Sequence, residues 1–382
     1  MHLLVINTGS SSLKSALFSL TGGIESFRPP LWRKHIEWKG DIKKFVPKSF
    51  KEMFRSLWKI VASKEIDYIG HRVVHGGQSF VEPTLITSEI KNEIEHLISL
   101  APLHNSTNLE GILAAEHFFP ESQQFAVFDT AFHSTLGKET KIYPGPYEWE
   151  SQGIIRYGFH GISHQYTSSR AVTILGKPIE KLCVCHLGAG ASLCAIKNGK
   201  SVDTTMGFTP MEGVMMGSRS GTIDPGIIIY LGQKGYSLPR INEILNNESG
   251  LLGLSGISED MREIIVEAAK NHPRALLALN IYLHRLCQGI LQMMVSLEGL
   301  NALVFTGGIG ENCSYIREKV AEKLKFLGVE LDQKLHEKNQ DKDRVITSSQ
   351  SSIDFLVIHT QEEWQIAKEC CKIIQPQKDD IF

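Results

Sequence analysis

The chain begins with a short apolar run, residues 3–6, which breaks into NTGSSSLK (7–14) and resumes as a mostly apolar stretch to residue 20. That alternation predicts a strand (3–6), a Gly/Ser turn (8–12) and a second strand (13–20). The same pattern returns midway. Residues 182–187 are apolar, 188–191 are glycine-rich, 192–196 are apolar again, and Asn198-Gly199 marks a tight hairpin into another strand. NTGSSSLKSALF aligns without a gap to HLGAGASLCAIK, and each copy opens one half of the chain. A third apolar strand, 303–306, runs into a glycine-rich turn, GGIGEN (307–312), and then a helix over 315–326 with Ile316, Val320 and Leu324 at helical spacing. Ser258-Glu259-Asp260 reads as a helix start, and residues 364–374 as an amphipathic C-terminal helix. The stretch 275–297 is helical and apolar on more than one face, but His284-Arg285 interrupts it too soon for a membrane span. It belongs inside a domain or at a subunit contact.

A chain of 382 residues exceeds one comfortable hydrophobic core, so two domains are expected. With 40 basic and 42 acidic residues, the net charge of −2 gives no electrostatic case for nucleic acid or an anionic membrane. No basic leader with an apolar core opens the chain. The seven cysteines form no C-x-x-C pair, and Cys183, Cys185 and Cys194 sit in strand-like runs as small hydrophobes. A reduced, cytoplasmic enzyme is the expectation.

Three strand-to-glycine passages, the first ending on Lys14, suit phosphate: backbone N–H groups form anion nests, and glycine admits close approach. Each alone also reads as an ordinary hairpin. Neither G-x-x-x-x-G-K-[ST] nor G-x-G-x-x-G after the first strand is present, which argues against a Walker NTPase or a dinucleotide oxidoreductase. The segment TTMGFTPMEGVMMGSRSGTIDPG (204–226) has neither helical nor strand period, and such a stretch in a compact domain is usually a functional loop. Its one arginine, Arg219, reads either as a phosphate-facing cation or as a turn residue paired with Asp224.

NTGSSSLK, GHRVVHGG (70–77), APLHN (101–105), FDTAFH (128–133), YGFHGISH (157–164), HLGAGAS (186–192), DTTMGFTPMEGVMMGSRSG (203–221), SGISEDMR (255–262) and GGIGENCSYIR (307–317) together resemble the acetate kinase family, in that family's order and over nearly the whole chain. The resemblance implies an α/β fold of two related actin-like (ribonuclease H-like) domains with a nucleotide cleft between them. The first would comprise 1–130 with the C-terminal helix 366–382; the second, 131–365, would carry most of the nucleotide site. The match is poor over 21–64. Ala189 stands where the family often has asparagine, Ile162 where threonine is usual, and Ser106 where proline is usual.

The roles implied are those of a phosphotransferase with a carboxyl acceptor. A carboxylate is already ionised at neutral pH, so the chemistry needs positioning and charge neutralisation more than a base. Arg72 resembles the carboxylate clamp, with Val74 and His104 at the substrate and Pro102-Leu103 shaping the acyl pocket. Asp129, His160 and Arg219 match the catalytic positions. Nucleotide-binding positions are Lys14, His186, Leu187, Gly188, Ala189, Gly190, Asp260, Met261, Arg262, Gly308, Ile309, Gly310, Glu311 and Asn312. Asn7 and Glu362 match metal-linked positions for Mg²⁺, with Mn²⁺ as a substitute. Read from the residues alone, Arg72 is also a turn arginine, His104 and His186 loop braces, Asp260 a helix cap and Glu362 a helix N-terminal carboxylate. The expected reaction is ATP + acetate ⇌ ADP + acetyl phosphate in a cytoplasmic homodimer. The alternatives are a propionate or other short-chain acyl kinase, or an actin- or Hsp70-like module whose ATP cycle drives binding.

Overall fold

The computed structural model describes residues 1–9, 12–21, 28–37, 42–62, 65–337 and 342–374. Ser10 and Ser11 of the first turn, parts of the 21–64 segment and residues 375–382 lie outside the described residues. The chain divides into two compact units. The first comprises Met1–Phe132, Gly161–Ser163 and Gln361–Phe382; the second comprises His133–His160 and His164–Thr360.

The first unit is built on β1 (His2–Thr8), β2 (Ser12–Ser19), β3 (Trp32–Glu37), β4 (Tyr68–Val73), β5 (Thr84–Leu85) and β6 (Gln123–Phe128). They form one sheet in the order β3-β2-β1-β4-β6-β5. β1, β2 and β3 are antiparallel neighbours, and β4 and β6 run parallel to β1. β1 is buried from its second residue onward, as befits a central strand covered on both faces. Leu4, Ile6, Leu13 and Leu17 pack against Phe50, Met53, Phe54 and Phe119 in one core cluster. On the C-terminal helix Glu362–Ile374, Trp364 meets Phe18 edge to face at 5.6 Å. Gly70 admits that helix, because a Cβ there would stand 2.7 Å from Cys370 Sγ and 3.1 Å from Ile366.

The second unit repeats the plan with β7 (Lys181–Leu187), β8 (Ala191–Lys197), β9 (Lys200–Thr204), β10 (Ala302–Thr306), β11 (Arg344–Val345) and β12 (Asp354–Val357). Its order is β11-β12-β10-β7-β8-β9, the first sheet's order read from the other edge. β7, β8 and β9 are antiparallel neighbours, while β10 and β12 are parallel to β7. The two hairpins recognised in the sequence thus occupy equivalent places. Their registers differ from the ungapped alignment, however. Asn7 faces Lys14 in the first, whereas His186 faces Ser192 in the second, because the second turn is one residue shorter. The structural counterpart of Lys14 is Ser192.

The helix Pro273–Leu297 buries one face, including Ala275, Leu279, Tyr282, Leu286, Ile290, Met293 and Leu297, and leaves Leu277 and Val295 exposed. Among the described residues no helix is long and apolar enough to cross a membrane. GGIGEN, expected as a turn, is a helix, Gly307–Asn312. Gly307 leaves the strand at φ +76°, and its missing side chain would otherwise sit 2.7 Å from the Leu187 carbonyl oxygen. Only glycine permits that exit.

Candidate active site

On the first unit, three parallel strands end side by side and place polar residues at one sheet edge, the usual address of a ligand in such sheets. Asn7 comes from β1, Arg72 from β4, and Asp129 directly follows β6. The Arg72 guanidinium donates through Nη2 to Asp129 Oδ2 at 2.6 Å and through Nη1 to Asn7 Oδ1 at 3.3 Å. Asn7 Nδ2 in turn donates to Glu362 Oε2 at 2.8 Å and more weakly to Glu363 Oε1 at 3.5 Å. Burial works against the Arg72 charge, but Asp129, Glu362 and Glu363 outweigh it and hold its pKa above the ordinary arginine value. Arg72 Nε is buried and has no hydrogen-bond partner among the described residues. A guanidinium with one spare, desolvated N–H can take an incoming carboxylate oxygen.

The loop after β4 is fixed from the helix Pro102–Phe118. Asn108 Oδ1 accepts from Val74 N at 3.0 Å, and Asn105 both accepts from His75 N and donates to His75 O, each at 3.0 Å. Val74 is buried, and His104 is half-buried on the first turn of that helix. The Leu103 side chain lies outside the described residues. Burial lowers the His75 pKa to about 4, so this imidazole stays neutral. Asn105, Asn108 and Glu363 join this network through contacts distant in sequence, although both asparagines stand in or beside APLHN. Lys14 lies within β2, paired in register with Asn7 and His35.

On the second unit, three of the motifs converge. Gly188 and Ala189 of the β7–β8 turn, residues 259–262, and Gly308, Ile309 and Asn312 line one cavity of about 530 Å³. That is within the range of small-molecule sites. Asp260 caps the helix Met261–Ala269 by accepting from Arg262 N at 2.9 Å, and it also pairs with the Arg262 side chain at 2.5 Å. Arg262 is 90% exposed at the rim. His186, Leu187, Gly190, Gly310 and Glu311 are not among the lining residues. Glu311 turns back instead: its Oε1 accepts from Gly307 N at 2.9 Å and Thr360 N at 3.1 Å, which fixes the helix start beside the cavity.

Beside this turn lie His160 and Arg219. A side chain on Gly190 would begin 3.5 Å from Arg219 Nη1 and 3.6 Å from His160 Cε1, so both converge on the β7–β8 turn. His160 holds a left-handed backbone, φ 57°, at the start of the helix Gly161–Leu175. Such a conformation in a residue other than glycine costs of order 1–3 kcal/mol and clusters at functional sites. Its ring stacks on His186 with centroids 4.2 Å apart. Arg219 Nη1 donates to the Pro210 carbonyl at 3.4 Å, and no carboxylate pairs with it among the described residues. Asp224, its alternative partner from the sequence, instead accepts from Gly226 N at 2.8 Å. Burial alone pulls the Arg219 pKa below the usual arginine value. The result is a partly buried cation beside a glycine turn.

The loop carrying Arg219 is anchored by Arg156, which directly precedes YGFHGISH but carries no sequence signal of that role. Arg156 Nη1 donates to the carbonyls of Thr204 at 3.1 Å and Met206 at 3.0 Å, and Nη2 to Glu212 Oε1 at 2.7 Å. Tyr143 donates its hydroxyl to the other Glu212 oxygen.

Ala189 is exposed, and its carbonyl accepts from Gly217 N at 3.0 Å, so the turn is held through backbone rather than side chain. Ala189→Asn is therefore expected to leave the turn intact and ATP affinity equal or tighter. Isothermal titration would read this, and a clear weakening would show that the turn presents its N–H groups differently.

Residues 2–368 match the family model described as the Acetokinase family. An acetate kinase of Protochlamydia amoebophila is 50% identical over 400 residues, covering 97% of this chain and 99% of the relative. The crystal structure of Porphyromonas gingivalis acetate kinase superposes with a TM-score of 0.84 at 37% identity, covering 98% of this chain and 100% of that one. That of a propionate kinase from Francisella tularensis does so with 0.83 at 40% identity, covering 96% and 98%.

Proposed function

The chain belongs to the acetokinase family, and from that premise we propose that it transfers the γ-phosphoryl group of ATP to acetate, giving acetyl phosphate and ADP. The observation that carries the reading is the convergence of Arg219 and His160 on the Gly188–Gly190 turn. An ATP-driven binding module has no need of a partly buried cation without a carboxylate partner there, whereas a phosphoryl group gathering charge on its equatorial oxygens does.

The acceptor carboxylate is held on the first unit by Arg72, whose spare Nε–H faces no protein acceptor among the described residues. Val74 and His104 are assigned to the same acceptor. On the second unit the cavity takes the nucleoside, between residues 259–262 and Gly308–Asn312, while the β7–β8 turn holds the phosphates. Attack by an ionised carboxylate oxygen on the γ-phosphorus in line with the departing ADP needs no general base. Asp129 therefore orients Arg72 rather than removing a proton.

Mg²⁺ fits the donor set of the first unit, because Asn7, Asp129, Glu362 and Glu363 offer only hard oxygen ligands. Among the described residues no three His, Cys, Asp or Glu side chains form a metal cage. An ion that keeps several waters and binds substrate phosphates suits such a site, with Asn7 and Glu362 holding it, in part through water. Its contribution when bound is to neutralise charge on the phosphates.

Two further features support the expected setting. The helix Gly226–Gln233 has no buried residue, and Ile229 (65%), Tyr230 (57%) and nearby Leu238 (74%) expose apolar surface of the kind a second copy covers. All seven cysteines are free, as in a reducing cytoplasm.

Hydroxylamine trapping tests the reaction directly. Purified protein with Mg-ATP is expected to yield hydroxamate best with acetate. Propionate clearly ahead would keep the mechanism and move the protein to the propionate kinases. No hydroxamate with acetate, propionate or butyrate, despite ATP binding, would overturn the reading.

A further inference from the structure

Ser192 occupies, on β8, the register position that Lys14 holds on β2. It is fully buried between two imidazoles, its Oγ 2.9 Å from His160 Nδ1 and 2.8 Å from His164 Nε2. A hydroxyl carries one proton, so it cannot donate to both rings; at least one ring must donate to it. The far side of His164 decides which. His164 Nδ1 is buried and has no hydrogen-bond partner among the described residues. A stranded buried N–H is the rarer defect in folded proteins, whereas a bare acceptor is better tolerated. The His164 proton therefore sits on Nε2 and is donated to Ser192 Oγ. Among the described residues Ser192 Oγ meets no acceptor other than these two rings, so its hydroxyl proton goes to His160 Nδ1, and an imidazole that accepts at Nδ1 carries its own proton at Nε2.

The edge so protonated is the one that matters. A side chain built on Gly190 would lie 3.7 Å from His160 Nε2 and 3.5 Å from Arg219 Nη1. We propose that Ser192 and His164 are positioning residues that fix His160 as the Nε2–H tautomer, so that a neutral N–H donor stands beside Arg219 at the phosphate turn. Burial holds the His164 pKa well below the ordinary value, with His133 and His186 adding to the effect, so the relay starts from a neutral ring. The neighbouring His133 cannot disturb it. Its Nε2 faces the Phe159 carbonyl at 3.1 Å and so must donate, while Nδ1 accepts from Ser201 at 2.9 Å.

The inference rests on the reading of His160 as a donor to the transferring phosphoryl group, and its test separates the two. Long-range ¹H–¹⁵N correlation on uniformly ¹⁵N-labelled full-length protein, at a pH where imidazole is neutral, reports which ring nitrogen is protonated. The His160 signals are identified by their absence in His160→Gln. The wild-type protein is expected to show a protonated Nε2 and a bare Nδ1. Ser192→Ala should give a mixture of tautomers. Inverting a catalytic histidine's tautomer completely costs ~10⁴-fold in turnover, and a mixture lowers kcat in proportion to the Nε2–H fraction left, about tenfold if a tenth remains. The KM values for ATP and acetate should stay within about twofold. Ser192→Thr, which keeps the hydroxyl, should restore both the spectrum and kcat. A wild-type His160 protonated at Nδ1, or at both nitrogens, overturns the proposal without any variant. So does Ser192→Ala with unchanged tautomer and unchanged kcat. The expected spectrum in a protein that forms no hydroxamate would leave the relay standing and remove the kinase reading.

Discussion

Arg219→Ala is expected to lower turnover at least ~10²-fold, about 2.7 kcal/mol in the barrier, while ATP still binds. Arg219 reaches the Gly190 turn, the proposed seat of the phosphates, yet it does not line the cavity proposed for the nucleoside. Its loss should therefore fall on kcat rather than on nucleotide affinity. Stability should change little. Among the described residues the guanidinium donates only to the Pro210 carbonyl, at 3.4 Å, and has no carboxylate partner, so removing it strands no opposite charge. The loop that carries it is held by Arg156 and Glu212, which the substitution does not touch. Steady-state kinetics with a coupled ADP assay, alongside calorimetric ATP binding, would read both quantities. Near-normal turnover would take Arg219 away from the transferring group, and loss of ATP binding would move it to the nucleotide.

The two hairpins were legible because strand, glycine turn and strand leave a local signature. Their equivalence in the two sheets follows from it. Register was not legible: it depends on turn length, and one residue fewer after β7 brings Ser192, rather than Leu193, opposite the last polar residue of the first strand. The glycine motifs announced a ligand, but GGIGEN as a helix depends on a tertiary fact. Gly307 escapes a clash with the Leu187 carbonyl, and Glu311 folds back onto the freed N–H. The left-handed backbone of His160 also has no decisive local cue, since histidine tolerates that region better than most residues yet rarely adopts it. Least visible were contacts across long stretches of chain. Asn7 meets Glu362 across 355 positions, and Arg72 meets Asp129 across 57. No periodicity encodes such pairs. For the same reason, Glu363 and Arg156 entered only with the fold.

Arg72→Ala should behave unlike Arg219→Ala, because its charge is part of a buried network. The Arg72 side chain is 14% exposed and Asp129 only 2%, with 2.6 Å between Nη2 and Oδ2. Deleting one partner of such a pair leaves the other charge desolvated and typically costs about 3–5 kcal/mol. A large drop in thermal midpoint is therefore expected together with a raised acetate KM. The ATP constant should move much less, since the cavity residues belong to the second unit. The stability and binding effects can be pulled apart. Adding Asp129→Asn to Arg72→Ala removes the orphaned charge and should recover much of the lost stability, a coupling that a double-mutant cycle measures. It should not restore acetate affinity, because the guanidinium proposed to hold the carboxylate is still missing. Urea midpoints for the four proteins of the cycle, with acetate and ATP constants for each, decide the matter. Recovery of stability with acetate still weak assigns Arg72 both roles. If the ATP constant alone moves, Arg72 is not the carboxylate clamp, and its unpartnered Nε needs another ligand.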